Sequence, residues 1–144
     1  MKKREINHLG CWIAISLVCA FLYVWYNYIF FEAWLENNNM KVEDFVTNRG
    51  FVPYAMSLIT TVLIVYFLEW LFIQLDVDGF QAGMAIAVAL AFTFSFLNVL
   101  GQDLYLFRPL QISLINGGAN LFACLIAGGI LGAWANKGDI IKEL

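Results

Sequence analysis

Hydrophobic residues in this chain run together instead of alternating with polar ones at a helical or strand period. Four stretches, 9–31, 50–68, 79–102 and 109–136, contain no Asp, Glu, Lys or Arg, and every charged side chain falls between or beyond them. They are 23, 19, 24 and 28 residues long. A hydrocarbon layer about 30 Å thick calls for ~20 apolar residues at 1.5 Å of helical rise each. Three stretches meet that length directly, and the second meets it once Glu69 and residues 70–75 are added. The pattern predicts an all-α polytopic membrane protein. Its single domain, 1–144, holds four helices in an antiparallel bundle, with spans at about 9–31, 53–75, 80–101 and 109–134.

Two other readings of the same pattern fail. A buried helix in a soluble globule is also apolar all round. A 16.3 kDa chain, however, has too much surface to hide four of them, and residues 11–31, 54–68 and 112–134 offer no charged face. Residues 82–96 alternate small and large side chains, as in Ala85, Ile86, Ala87, Val88, Ala89 and Leu90. The alternation is in size and not in polarity, so it is not the signature of a barrel strand. Composition agrees: 62% of residues are apolar, 13% are charged, and the mean hydropathy is +0.75. Lys2, Lys3 and Arg4 before an apolar run resemble a secretory signal. That run continues through Trp25, Tyr26, Phe30 and Phe31, well past the ~7–15 residues a signal uses, and is read as span 1.

Basic residues set the expected orientation. Lys2, Lys3, Arg4, Lys137 and Lys142 lie on the side of the two termini, and Lys41, Arg49 and Arg108 on the other. The positive-inside rule then puts both termini in the cytoplasm and the protein in a plasma membrane. Between spans 1 and 2, Val42, Phe45 and Val46 beside Lys41, Glu43 and Asp44 suggest one or two turns of interfacial helix. Spans 2 and 3 are joined by a tight turn at Asp76, Asp78 and Gly79. Pro109 suits the first turn of span 4, where its missing N–H costs nothing. No basic face suggests nucleic acid, so the lipid bilayer is the first partner.

Small residues recur at helical spacing. Gly83, Ala87, Ala91 and Ser95 lie four apart on span 3, and span 4 carries Ala119, Ala123 and Ala127, then Gly128 and Gly132. Such faces let helix backbones approach closely. They predict that spans 3 and 4 pack together, and they also suit a homo-oligomer formed through the same faces. Ser95 is followed by Asn98 and Gln102, and span 4 places Asn116 and Asn120 four apart. Asn27, beside Trp25 and Tyr26, lies at a similar depth in span 1. These amides are either hydrogen-bonding glue between helices or the polar part of a ligand pocket with an aromatic wall. Glu69 is read as the one acidic residue embedded in a span. It is either a proton or cation site, or a structural acid near the inner end of span 2, on the same side as His8.

Familiar catalytic signatures are missing. Cys11, Cys19 and Cys124 lie in spans without a C-x-x-C pair, and one histidine cannot build a metal cluster. No G-x-S-x-G, phosphate-binding loop or H-E-x-x-H occurs. No cofactor or catalytic residue is therefore expected, and Asp103 with Arg108 reads as an interfacial ion pair. Small multidrug transporters also have four spans but depend on a glutamate in the first, and quinone-linked thiol oxidoreductases need paired cysteines.

Trp25, Tyr26, Phe30 and Trp34 precede the segment between the first two spans. Arg108, Pro109 and Leu110 are followed by Ile115, Asn116, Gly117 and Gly118, and then by Gly128, Gly129, Gly132 and Trp134. Over about 15–134 this pattern resembles a bacterial four-span family, domain of unknown function 1761. The resemblance implies a four-helix fold in a bacterial plasma membrane and brings no activity. The residues themselves favour a non-catalytic protein whose Trp25, Tyr26, Asn27, Asn98, Asn116 and Asn120 hold a lipid-like or small amphipathic ligand, or a membrane partner, in the outer half. The alternative is a proton- or cation-coupled transporter or channel using Glu69.

Overall fold

The structure is a computed structural model that describes residues 5–48 and 50–135. Lys2, Lys3, Arg4, Arg49, Lys137 and Lys142, which carry most of the orientation argument, lie outside the described residues. Helix α1 (His8–Val24) runs on into a π-helical turn, Trp25–Ile29. Two short helices follow, α2 (Phe31–Asn37) and α3 (Val42–Asn48), the second over the segment with interfacial character. Next come α4 (Val52–Gln74), α5 (Phe80–Ala91), a second π turn (Phe92–Phe96), α6 (Leu97–Tyr105) and α7 (Leu110–Ala133). Continuous helices His8–Ile29, Val52–Gln74, Phe80–Tyr105 and Leu110–Ala133 are long and apolar enough to cross a membrane; they are spans 1 to 4. Among the described residues there is no strand. One end of the bundle carries the chain's start, and the other carries α2 and α3, here called the linker end.

Three helices stop in the same way. Asn39, Asp76 and Phe107 adopt left-handed backbone, with φ of 53°, 52° and 54°. The next N–H in each case reaches back to the helix: Met40 to the Leu35 carbonyl, Val77 to that of Phe72, and Arg108 to that of Asp103, at 2.9–3.0 Å. This closure satisfies carbonyls that the helix end would leave bare. It also explains the polar run at 37–39. Asn37 and Asn38 donate to the Ala33 and Trp34 carbonyls, at 2.7 Å each, and Asn39 takes the left-handed position that asparagine tolerates well.

Spans 3 and 4 are in near backbone contact. A methyl group at Gly83 would collide with the Gly128 carbonyl oxygen, and one at Gly128 would meet the Ala87 Cβ. The Gly79 N–H, at φ +101°, donates to the Gly132 carbonyl at 3.1 Å, a cross-span bond at the foot of the pair. The expected small-residue faces thus meet one another within the chain: Gly83, Ala87, Ala91, Ala127, Gly128 and Gly132 are all buried.

Span 1 and the second half of span 2 complete a core at the amino-terminal half of the bundle. Cys11, Ala14, Ile15 and Val18 face Val65, Leu68 and Phe72, with Ala127 and Leu131 from span 4. The spacing of three and four in each set is one helical face.

Two sequence expectations change. Pro109 caps span 4 from outside, at φ −58° and ψ 135°, and the helix begins at Leu110 instead of containing the proline. Proline also bars Arg108 from helical geometry, which separates the two helices cleanly. Span 3 runs to Tyr105, past the expected end at 101, so Asp103 lies inside a helix and is buried. Glu69 is not the sole embedded acid.

Gly83→Leu should force the two backbones apart, lowering stability in detergent by at least about 3 kcal/mol as read from reversible unfolding. Gly101, with nothing within 4 Å of an added methyl, should accept Ala at no cost or with a gain of up to ~1 kcal/mol.

Candidate functional site

Span 2 is packed along only half its length. Its buried residues are Thr61, Val65, Leu68, Glu69 and Phe72, whereas from Val52 to Thr60 its side chains are exposed or half-buried. Where it stands away from spans 1 and 4, a cleft of about 350 Å³ opens toward the linker half. Val18, Leu22, Ile64, Val65, Ala123 and Ala127 form its apolar walls. Ser57, Thr60, Thr61, Ser95, Asn120 and Cys124 supply its polar lining. The volume lies within the ~300–1,000 Å³ usual for small-molecule sites. Ser57, Thr60, Ile64 and Asn120 are exposed at its rim, so it opens at the side of the bundle, toward the surrounding lipid.

Local structure positions the polar row. Ser57, Thr60 and Thr61 share one face of α4 at spacings of three and four. The Thr61 hydroxyl donates to the Ser57 carbonyl at 2.8 Å. Asn120 Nδ2 donates to Ser95 Oγ at 2.7 Å, a bond between spans 3 and 4. That bond uses one of two N–H groups on Asn120 and leaves the serine proton for another acceptor.

The other expected site residues go elsewhere. Trp25 Nε1 donates to the Ile115 carbonyl at 3.1 Å, and the Tyr26 hydroxyl donates to Asn116 Oδ1 at 3.2 Å. This aromatic end of span 1 rests on a glycine pair in span 4. The Trp25 ring is 3.5 Å from where a Gly118 methyl would stand, and Phe96 of span 3 lies so close over Gly117 that a methyl would be 2.6 Å from its ring. Asn27 donates to the Tyr23 carbonyl of its own helix at 2.9 Å. Asn98 accepts from Gln102 at 3.1 Å, and both are exposed on the outer side of span 3. The amides therefore do not form one cluster. For Asn98 and Gln102 the π turn at Phe92–Phe96 matters: an i→i+5 turn inserts a residue, so they no longer continue the register of Gly83, Ala87 and Ala91.

At the amino-terminal end, Glu69 is fully buried and accepts from the Asn7 backbone N–H at 3.2 Å. Asn7 caps α1 by accepting from the Gly10 N–H at 3.0 Å, and its Nδ2 donates to the Trp134 carbonyl at 3.4 Å. One asparagine thus ties spans 1, 2 and 4 together. A carboxylate beside the start of α1 also suits the positive end of the helix dipole. His8 Nδ1 and the Tyr66 hydroxyl, 3.1 Å apart, add a second tie between spans 1 and 2. At the linker end, Asp103 meets Arg108 at 3.3 Å and accepts from the Ser113 hydroxyl at 3.0 Å, bracing the turn between spans 3 and 4. Each acid accepts a hydrogen bond from a neighbouring element, Glu69 from the start of α1 and Asp103 from α7. Among the described residues no three His, Cys, Asp or Glu side chains are grouped as a metal site would need.

Sequence reasoning missed Ser57, Thr60, Thr61 and Asn7. The first three carried a usable signal, hydroxyls on one face of a span, while the role of Asn7 depends on which helix ends meet.

A family model described as "Protein of unknown function (DUF1761)" matches residues 10–132. No curated protein and no solved structure matches.

Glu69→Gln keeps an oxygen for the Asn7 N–H and should leave the melting temperature within a few degrees of the parent. Glu69→Leu removes the acceptor and should cost about 1–3 kcal/mol, measured by unfolding in detergent.

Proposed function

We propose a function from one premise and one observation: the chain belongs to the DUF1761 family, and its bundle carries a side-opening cleft with a polar row that runs inward from Ser57, five residues into α4, to Asn120, ten residues into α7. The protein is a non-catalytic membrane component that holds a lipid-like or small amphipathic molecule in that cleft. The observation carrying the reading is the exposure of Ser57, Thr60 and Asn120 among apolar neighbours. Hydrocarbon offers such groups no hydrogen bonds, so their position is favourable when something polar arrives with an apolar tail. Apolar walls from Val18, Leu22, Ile64 and Ala123 fit that tail.

The ligand reading therefore moves from the Trp25, Tyr26 and Asn116 group to Asn120 and its neighbours. Trp25, Tyr26 and Asn116 act as supports, fastening span 1 to span 4 beside the cleft. Glu69, buried at the opposite end against the start of α1, is given a structural role in preference to a transport one. The basic residues Lys2, Lys3, Arg4, Lys137 and Lys142 favour both termini on the cytoplasmic side of a bacterial plasma membrane, which turns the linker end outward.

Extraction in native-lipid particles followed by lipid mass spectrometry tests the reading. The parent should retain a stoichiometric amphipathic molecule. Ala123→Phe fills the cleft from its apolar wall and should lose at least ~90% of that molecule, at a stability cost of no more than about 1–3 kcal/mol because Ala123 also borders the packed core. Equal lipid content in parent and variant would sink the proposal.

A further inference from the structure

We infer that the cleft selects a lipid alcohol: a long apolar chain whose polar end is an uncharged hydroxyl, and not a phosphate-bearing lipid. This rests on the ligand reading above and adds the chemistry of the headgroup.

Among the described residues, no Asp, Glu, Lys or Arg lines the cleft; its polar atoms belong to hydroxyls, one amide and one thiol. Depth matters as much as type. Asn120 stands ten residues into α7, ~15 Å from the linker end of span 4 and near the middle of a ~30 Å hydrocarbon layer. A phosphate at that depth would need a cation beside it. Arg108 is at the linker end and faces Asp103, and Lys41 lies in the connection between α2 and α3. A phospholipid would leave its headgroup near those residues and present only methylene groups to Ser57, Thr60 and Asn120. The polar row would then gain nothing from its occupant.

A hydroxyl-ended chain resolves both problems. An alcohol loses far less than an ion on leaving water, so its end sinks to mid-span depth at modest cost. One hydroxyl both donates and accepts, which matches a row in which Asn120 keeps a spare N–H and Ser95 a spare proton. Thr60 and Ser57 lie on the facing helix within the same cleft and supply further acceptors. The chain then follows the wall of Val18, Leu22 and Ile64.

Photo-crosslinking decides the matter. Purified full-length protein in lipid nanodiscs is exposed to a diazirine-bearing hexadecanol or to the phosphate monoester of the same probe, and labelled peptides are mapped by mass spectrometry. The alcohol should label the cleft walls at least ~10-fold more than the phosphate ester, since only the ester must bring a charge into hydrocarbon. The double change Ser57→Ala with Thr60→Ala should reduce alcohol labelling there severalfold while the melting temperature holds, and Asn120→Leu should do the same with a melting temperature lowered by no more than a few degrees, since it also gives up the bond to Ser95. Equal labelling by the two probes, or alcohol labelling that survives both variants, overturns the headgroup assignment and leaves the ligand reading standing. Absence of cleft labelling by either probe overturns both.

Discussion

The near-touching backbones of spans 3 and 4 are the constraint from which the rest of the bundle follows. In lipid, apolar side chains gain little from meeting each other, so helix association depends on close packing and hydrogen bonds. Gly83, Gly128 and Gly132 allow backbone to approach backbone, and the Gly79 to Gly132 bond closes the foot of the pair. This makes a two-helix slab with that bond at one end and the Asp103, Arg108 and Ser113 brace at the other. Span 1 then packs on the slab through Cys11, Ala14, Ile15 and Val18. Span 2 is the last to be held, and only its second half is buried. The cleft is the geometrical remainder: three helices fixed along their lengths and a fourth fixed at one end.

A long helix packed against a neighbour over its whole length would normally continue one face. The π turn at Phe92–Phe96 prevents this in span 3. Before it, small residues face span 4; at it, Phe96 swings over Gly117 and Ser95 comes to Asn120. The turn at Trp25–Ile29 does comparable work at the end of span 1, setting Trp25 against Gly118 and the Ile115 carbonyl. Glycines in span 4 therefore have two separate uses. Gly128 and Gly132 admit backbone, and Gly117 and Gly118 admit aromatic rings.

What is legible in the residues follows from which features are local. Span number and approximate limits are legible because length and charge-free composition are properties of a segment alone. The span 3 to span 4 contact is legible because Gly83, Ala87 and Ala91 repeat at the helical period ahead of any irregularity. The amide cluster is not, since Asn98 and Gln102 continue the face of Gly83, Ala87 and Ala91 only if the helix is regular throughout, and the residue inserted at Phe92–Phe96 breaks that premise. Asp103 reads as a loop residue whenever a charge is used to end a span, whereas its burial depends on Ser113 and Arg108 arriving from the next element. Asn120 alone among the expected ligand residues lines the cleft, and its partners Ser57 and Thr60 sit on a helix whose rotation no local pattern discloses.

Polar groups in this bundle fall into two kinds, and the division bears on function. Asn7, Asp103 and Ser113 lie at or within a turn of a helix end, Glu69 lies inside α4 against the start of α1, and each is held by a bond to another element. Ser57, Thr60 and Asn120 lie five, eight and ten residues inside their helices, where the backbone is already satisfied and makes no demand on them, and Asn120 also donates to Ser95. Replacing Ser57 and Thr60 by alanine would not leave a helix end uncapped or a core unfilled, because they stand at the rim of a cleft, whereas Asn120 also bonds Ser95 across spans 3 and 4. Bonds between elements therefore account for the first kind and for part of Asn120, and leave Ser57 and Thr60 without a packing role. It is to Ser57 and Thr60, more than to any other polar pair in the cleft, that the proposed guest answers.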